Sequence, residues 1–202
     1  MLYRVITKDA FRDLVDQLLA VNEVVGPRIV NRRPDGTPIH QFKPIENFDN
    51  LDLDYKKTEF SAKTYFLPFR ENLCTYKYTE DGDWEQDIKY RVRPRVIIGL
   101  RACDINALVK LDKVLLKDDY PSPYYLSRRR NTLTIGMDHE PCDRGFCSSV
   151  GSDIVTHGFD LFMTDIGERY MVAIDSDRGY RVLREVESRD VEDEDRNAYM
   201  EV

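Results

Sequence analysis

The sequence predicts an α/β fold: a partly parallel sheet with flanking helices, plus β-hairpins. Val96-Ile97-Ile98 runs into Gly99-Leu100 with no polar break, the pattern of a strand buried on both faces of a parallel sheet. Directly afterwards Ile105, Leu108, Leu111, Leu115 and Leu116 recur at helical spacing, with Lys110, Asp112 and Lys113 largely on the other side. Thr132–Met137 repeats the apolar strand signal, so strand, helix and strand follow one another as in a parallel crossover. Turn signals at Arg33–Gly36, Asp81-Gly82 and Ile166-Gly167 separate shorter segments and mark three hairpins.

Taken in order, Thr7 is placed to cap a first helix. Phe11, Leu14, Val15, Leu18 and Leu19 share a face of it, and Gly26-Pro27 is expected to end it. Arg28–Asn31 and Thr37–Phe42 form the first hairpin, and with the helix they suggest a small layer over residues 1–45. Residues 46–55, rich in Asn and Asp, read as a polar surface connection. Lys63–Cys74 is dense in aromatics, whose ordinary role is core and turn, with Pro68 breaking regular structure. Phe66, Phe69, Tyr124 and Tyr125 are candidate docking anchors as well as candidate core, and Cys74 reads as a small buried hydrophobe. Asp104 is placed to cap the central helix. Asp118–Tyr125, interrupted by Pro121 and Pro123, reads as a loop. Arg128, Arg129 and Arg130 behind it read as a solvated face in preference to an anion clamp. Residues 1–185 are expected to form one domain, and 186–202 an acidic extension placed to link to a further domain.

The chain has 202 residues, enough to bury a sizeable core, and a formal net charge of -7. That balance, with no basic arm or stripe, argues against nucleic acid and for protein partners. The opening residues lack the apolar run of a signal peptide, and no stretch is long and apolar enough to span a membrane. Four cysteines are too few for a disulfide scaffold of this size. The expectation is a cytoplasmic protein with reduced thiols.

Three of those cysteines fall in two places that the parallel reading brings to one edge of the sheet. Cys103 lies between the buried strand and the helix N-terminus, a location expected to favour its thiolate. His139, Cys142 and Cys147 follow the second strand with the spacing His-x2-Cys-x4-Cys, and Gly145 permits a tight bend. One imidazole and three thiols at one rim suit zinc or an iron–sulfur centre. Unligated residues in a structured loop, and a redox-active Cys142–Cys147 pair, are the other readings. Gly99–Cys103 lacks the further glycines of a dinucleotide fingerprint, and no Walker lysine, His-Glu-x-x-His motif or Ser-His-Asp order is present. His40 and His157 stand alone and read as structural.

Five motifs in order carry a resemblance: Lys63–Asn72 (Lys-x-Tyr-Phe-Leu-Pro-Phe-Arg-Glu-Asn), Gly99–Asp104 (Gly-Leu-Arg-Ala-Cys-Asp), Asp118–Arg130, Phe146–Gly151 (Phe-Cys-Ser-Ser-Val-Gly) and Gly158–Asp165. From about Lys63 to Asp175 the chain resembles the N-terminal half of the iron–sulfur β subunits of soluble hydrogenases and sulfur reductases, a group that includes the A subunit of anaerobic sulfite reductase. The resemblance implies an electron-transfer subunit that docks a ferredoxin-like domain carrying [4Fe–4S] clusters and works with other protein subunits of a redox complex. It implies cofactor ligation at Cys103 and Cys147, which match the family pattern. His139, Cys142 and Gly145 depart from it, since relatives commonly carry Cys at the first position and Cys-Phe-Cys around the last. Two other functions remain open: a structural zinc module using Cys103, His139, Cys142 and Cys147, and a thiol-redox protein using Cys103.

Overall fold

The computed structural model describes every residue except Lys89, Arg91, Asp118, Pro141, Asp143 and Arg144. Strand β1 (Leu2–Thr7) leads into helix α1 (Lys8–Val21), whose first turn is capped by the Thr7 side chain accepting from the Ala10 N–H at 3.0 Å. The helix stops at Asn22, before Gly26-Pro27. The Asn22 backbone and side chain both donate to the Leu18 carbonyl, at 2.9 and 3.2 Å. Gly26 and Pro27 instead belong to β2 (Glu23–Arg32). A side chain at Gly26 would meet Leu51 at 2.1 Å, and Pro27 lies beyond the last residue paired with the neighbouring parallel strand.

β2 turns through Arg33–Gly36 into β3 (Pro38–Pro44), and the aromatic hairpin β4 (Cys74–Tyr78) and β5 (Trp84–Ile88) follows. Next come β6 (Arg95–Leu100), α2 (Ala102–Leu115), α3 (Pro123–Asn131) and β7 (Thr132–Met137). β8 (Leu161–Asp165), β9 (Arg169–Ile174), α4 (Asp177–Leu183) and α5 (Asp193–Met200) complete the chain. The proline-containing loop before α3 is shorter than expected. Ser122 caps the helix and Pro123 occupies its first position, where a missing N–H costs nothing. Asp118, at the start of that expected loop, lies outside the described residues.

Seven strands form one mixed sheet in the order β1-β9-β8-β7-β6-β2-β3, and β4-β5 stands as a separate two-stranded sheet. β2, β6, β7 and β8 are parallel neighbours, while β3 closes one edge and β9-β1 the other by antiparallel pairing. The N-terminal hairpin therefore extends the main sheet. Both faces are covered, which is why the central strands are apolar throughout. Phe11, Leu14, Val15 and Leu18 of α1 pack with Val96 and Ile98 on one face. Ile105 and Leu108 of α2 and Tyr125 of α3 pack with Ile97 and Leu100 on the other. Each large side chain so buried contributes about 1.5–3 kcal/mol.

The acidic C-terminal residues are tied to the sheet. Arg189 bridges Val5 in antiparallel fashion and holds the fully buried Asp195 through bonds of 2.6 and 2.8 Å. Arg128 and Arg129 are likewise internal: Arg128 pairs with Glu71, and Arg129 with Asp112 at 3.1 Å. The triple arginine is thus mainly a fastening of α3, neither clamp nor fully solvated face. Among the candidate anchors, Phe66 and Tyr125 are core, whereas Tyr124 is half-buried and Phe69 is exposed.

The strand that leads to Cys103 is bent by one residue. Register with β7 shifts between Ile98 and Leu100, and Gly99 takes a φ of +83°. This bulge sends Leu100 to the same face as Ile97 and re-aims the chain at its carboxyl end. An added methyl at Gly99 would sit 3.1 Å from both Leu53 and Pro27. Gly99→Ala is expected to lower stability by about 1–3 kcal/mol, the cost of holding a non-glycine residue in this backbone region. Gly36→Ala, at a φ of +85° with open space around it, should cost less in the same denaturation series.

Candidate functional site

The site lies at the carboxyl ends of β6 and β7, where parallel neighbours deliver their following loops to one edge. Arg101 leaves β6 and becomes the N-cap of α2, so its side chain is carried under the rim. It is 4% exposed. Its guanidinium donates to the Leu53 and Tyr55 carbonyls at 2.8 and 2.5 Å and to the Asp138 carbonyl at 2.9 Å. It also lies over the Tyr55 ring, 4.1 Å from the centroid. One buried cation therefore staples the end of β7 to the segment 53–55.

That segment was expected to be a surface connection. Instead Tyr55 is buried, its hydroxyl donating to the Gly99 carbonyl at 2.7 Å, and Leu51 and Leu53 pack on the core. His40 holds its approach through Asp52, 2.9 Å away. A run of Asn and Asp concealed the apolar spacing of Leu51, Leu53 and Tyr55, which was the available signal. Arg101 stands inside the Gly99–Asp104 motif. A lone arginine directly after a fully apolar strand was the sign that it must be buried or functional.

Cys103 occupies the second position of α2. Asp104 is not the cap but sits one residue further into the helix. Its carboxylate accepts from the Ser61 hydroxyl at 2.8 Å and from the Arg101 backbone N–H, and burial raises its pKa. The Cys103 thiol stands against that of Cys147. Burial first, then the Asp104 carboxylate and Cys147, push Cys103 up to about 12. The helix N-terminus was expected to favour the thiolate; desolvation and like charge outweigh it. Cys103 is thus a protonated thiol at neutral pH, which counts against an activated nucleophile.

Cys147 is brought there by α2 itself. The Asn106 side chain donates to the Ser152 and Ile154 carbonyls at 3.2 and 2.8 Å, laying the loop across the helix. The Ser152 N–H then bonds the Cys147 carbonyl at 2.8 Å. Cys142 faces elsewhere, its thiol 2.8 Å from the Lys56 carbonyl and near the Arg101 charge. His139 is half-buried, and burial followed by Arg101 lowers its pKa, leaving a neutral imidazole. Cys103 and Cys147 are therefore neighbours, while Cys142 and His139 lie around Arg101. Among the described residues no three of His, Cys, Asp and Glu come together as a metal-holding group. Two thiols suit part of a cluster or zinc ligand set; a complete set of four is not assembled by these residues. Cys74 is half-buried and remote in sequence, and no described helix is long and apolar enough to cross a membrane.

Two outcomes check this geometry. Diamide, a thiol oxidant, should join Cys103 to Cys147 with loss of two hydrogens, and Asn106→Ala should slow the reaction several-fold by freeing the loop; peptide mapping reads both. Alkylation of metal-free protein should show Cys103 reacting with a midpoint near about 12, moved down by Asp104→Asn because a negative neighbour is removed.

No family model matches the chain. It is 30% identical over 203 residues to sulfhydrogenase 2 subunit beta of Pyrococcus furiosus, an alignment covering all of this chain and 57% of that protein. The chain thus spans little more than half the length of that curated relative. The similarity to this sulfhydrogenase β subunit runs over the whole of the chain.

Proposed function

We propose that this chain is the α/β portion of an electron-transferring β subunit in a cytoplasmic hydrogenase or sulfur reductase-type complex, a group that includes sulfite reductase relatives. Its partners are other protein subunits and a ferredoxin-like domain, not nucleic acid. The observation that carries the reading is the Cys103–Cys147 thiol pair at the rim, in a chain homologous to a hydrogenase β subunit. An iron–sulfur centre is the group proposed for that rim, with Cys103 and Cys147 as its fixed ligands. His139 and Cys142 are the nearest residues to complete the set. When bound, such a centre supplies one-electron transfer.

The chain's own contribution is positional and electrostatic. α2 fixes Cys103, Asn106 fixes the Cys147 loop, and the Arg101 charge lies near Cys142. Because Cys103 is protonated in the ligand-free protein, ligation must release its proton, so affinity should rise with pH. A catalytic thiol of its own is less well supported, since burial, the Asp104 carboxylate and Cys147 together push the Cys103 thiol up.

Iron, zinc and visible absorption of anaerobically purified protein provide the test. Iron with a visible charge-transfer band, lost in Cys103→Ser and in Cys147→Ser, is the expected result. Zinc in place of iron would make the rim a colourless structural site. Equal iron in all three proteins would remove these cysteines from the ligand set.

A further inference from the structure

The β4–β5 ribbon has a face that stays exposed among the described residues. Its register sets Tyr78 opposite Trp84, Tyr76 opposite Gln86 and Cys74 opposite Ile88, so alternation places these residues on one side. Lys77 and Glu85 oppose each other on the other side. The apolar side is open: Tyr76 is 59%, Tyr78 65% and Trp84, the one tryptophan of the sequence, 69% exposed. Tyr78 and Trp84 meet edge to face at 5.2 Å and leave their outer surfaces bare.

Among the described residues the ribbon pairs with no strand of the main sheet. A lone two-stranded ribbon is marginal in water and gains stability when its apolar face is covered. Its stem, in contrast, is fixed. Tyr124 of α3 donates to the Leu73 carbonyl at 2.5 Å on the entering side, and Ser127 donates to the Tyr90 carbonyl on the leaving side. A fixed stem with an uncovered aromatic blade describes an arm, and exposed tryptophan and tyrosine are the side chains that anchor interfaces. Charge indicates what covers it. Glu80, Asp81 and Asp83 crowd the turn with no ion pair among the described residues. A second copy of this chain, at a net charge of -7, and an anionic lipid surface would both be repelled there.

We propose that the Cys74–Ile88 ribbon is a docking arm whose Tyr78–Trp84 face enters an apolar groove rimmed by lysine or arginine on another protein subunit of the redox complex. The identity of that partner rests on the electron-transfer reading above. Aromatic insertion supplies the hold, and the acidic turn supplies orientation and salt sensitivity.

The test uses the intact complex, purified from its native cells through a tag on this chain, with a photoreactive benzophenone side chain in place of Trp84. Crosslinking to a redox subunit, at a peptide carrying Lys or Arg, is expected. Trp84→Ala should lower the recovery of assembled complex at least tenfold at moderate salt. The double reversal Asp81→Lys, Asp83→Lys should do the same while leaving the apolar face and the thermal midpoint of the isolated chain intact. Full recovery with these variants, or crosslinking only to a second copy or to nothing within an assembled complex, overturns the arm and leaves the electron-transfer reading standing. If no redox subunit accompanies even the unaltered chain, that reading fails and the partner assignment fails with it.

Discussion

The buried guanidinium of Arg101 is the constraint on which the rim depends. A charge removed from water is tolerated only when its hydrogens find acceptors. Carbonyls of Leu53, Tyr55 and Asp138 meet that need, and the Tyr55 ring covers one face of the cation. The arrangement ties two separate stretches of chain, residues 53–55 and the end of β7, to one side group. Its Nε has no hydrogen-bond partner among the described residues, and burial lowers its pKa. The charge faces the side where Cys142 and His139 lie. Anionic sulfur gathered at this edge would relieve it.

The sheet explains why the chemistry gathers at that edge. Parallel strands release their carboxyl ends together, and the Gly99 bulge redirects β6 so that its next residues begin a helix. The first turn of α2 carries Cys103, and its second carries Asn106, which pins the loop holding Cys147. One helix thus places both thiols, one covalently and one through a side-chain amide. Opposite charges fasten the periphery: Arg128 to Glu71, Arg129 to Asp112, Arg189 to Asp195. The acidic turn of the β4–β5 ribbon, in contrast, is exposed and forms no ion pair among the described residues.

Much of the fold was legible in the sequence because burial on two faces leaves an unbroken apolar signature. Val96–Leu100 and Thr132–Met137 carry it, and Thr7 and the paired turns carry the local signals of helix start and hairpin. What was not legible depended on partners distant in sequence. Gly26-Pro27 has the look of a helix stop, yet it sits in a strand because Leu51 packs where a side chain would stand. Asp104 has the look of a cap, yet Ser61, far away in sequence, and the Arg101 N–H claim its carboxylate. The helix N-terminus pointed to a thiolate at Cys103, and only the depth of burial and the nearness of Cys147 reversed the sign. Of the four candidate ligands, sequence order could bring them to one edge but could not say which pair would touch.

Amide hydrogen exchange on Arg101→Met, compared with the unaltered protein, tests the role of the staple most directly. The substitution keeps much of the side-chain volume and removes the charge and its donors. The account predicts faster exchange across residues 51–56 and 138–140, accompanied by easier alkylation of Cys103, with α1 and the β8–β9 hairpin unchanged. Unchanged protection in both segments would contradict it and would make Arg101 a bystander to the site.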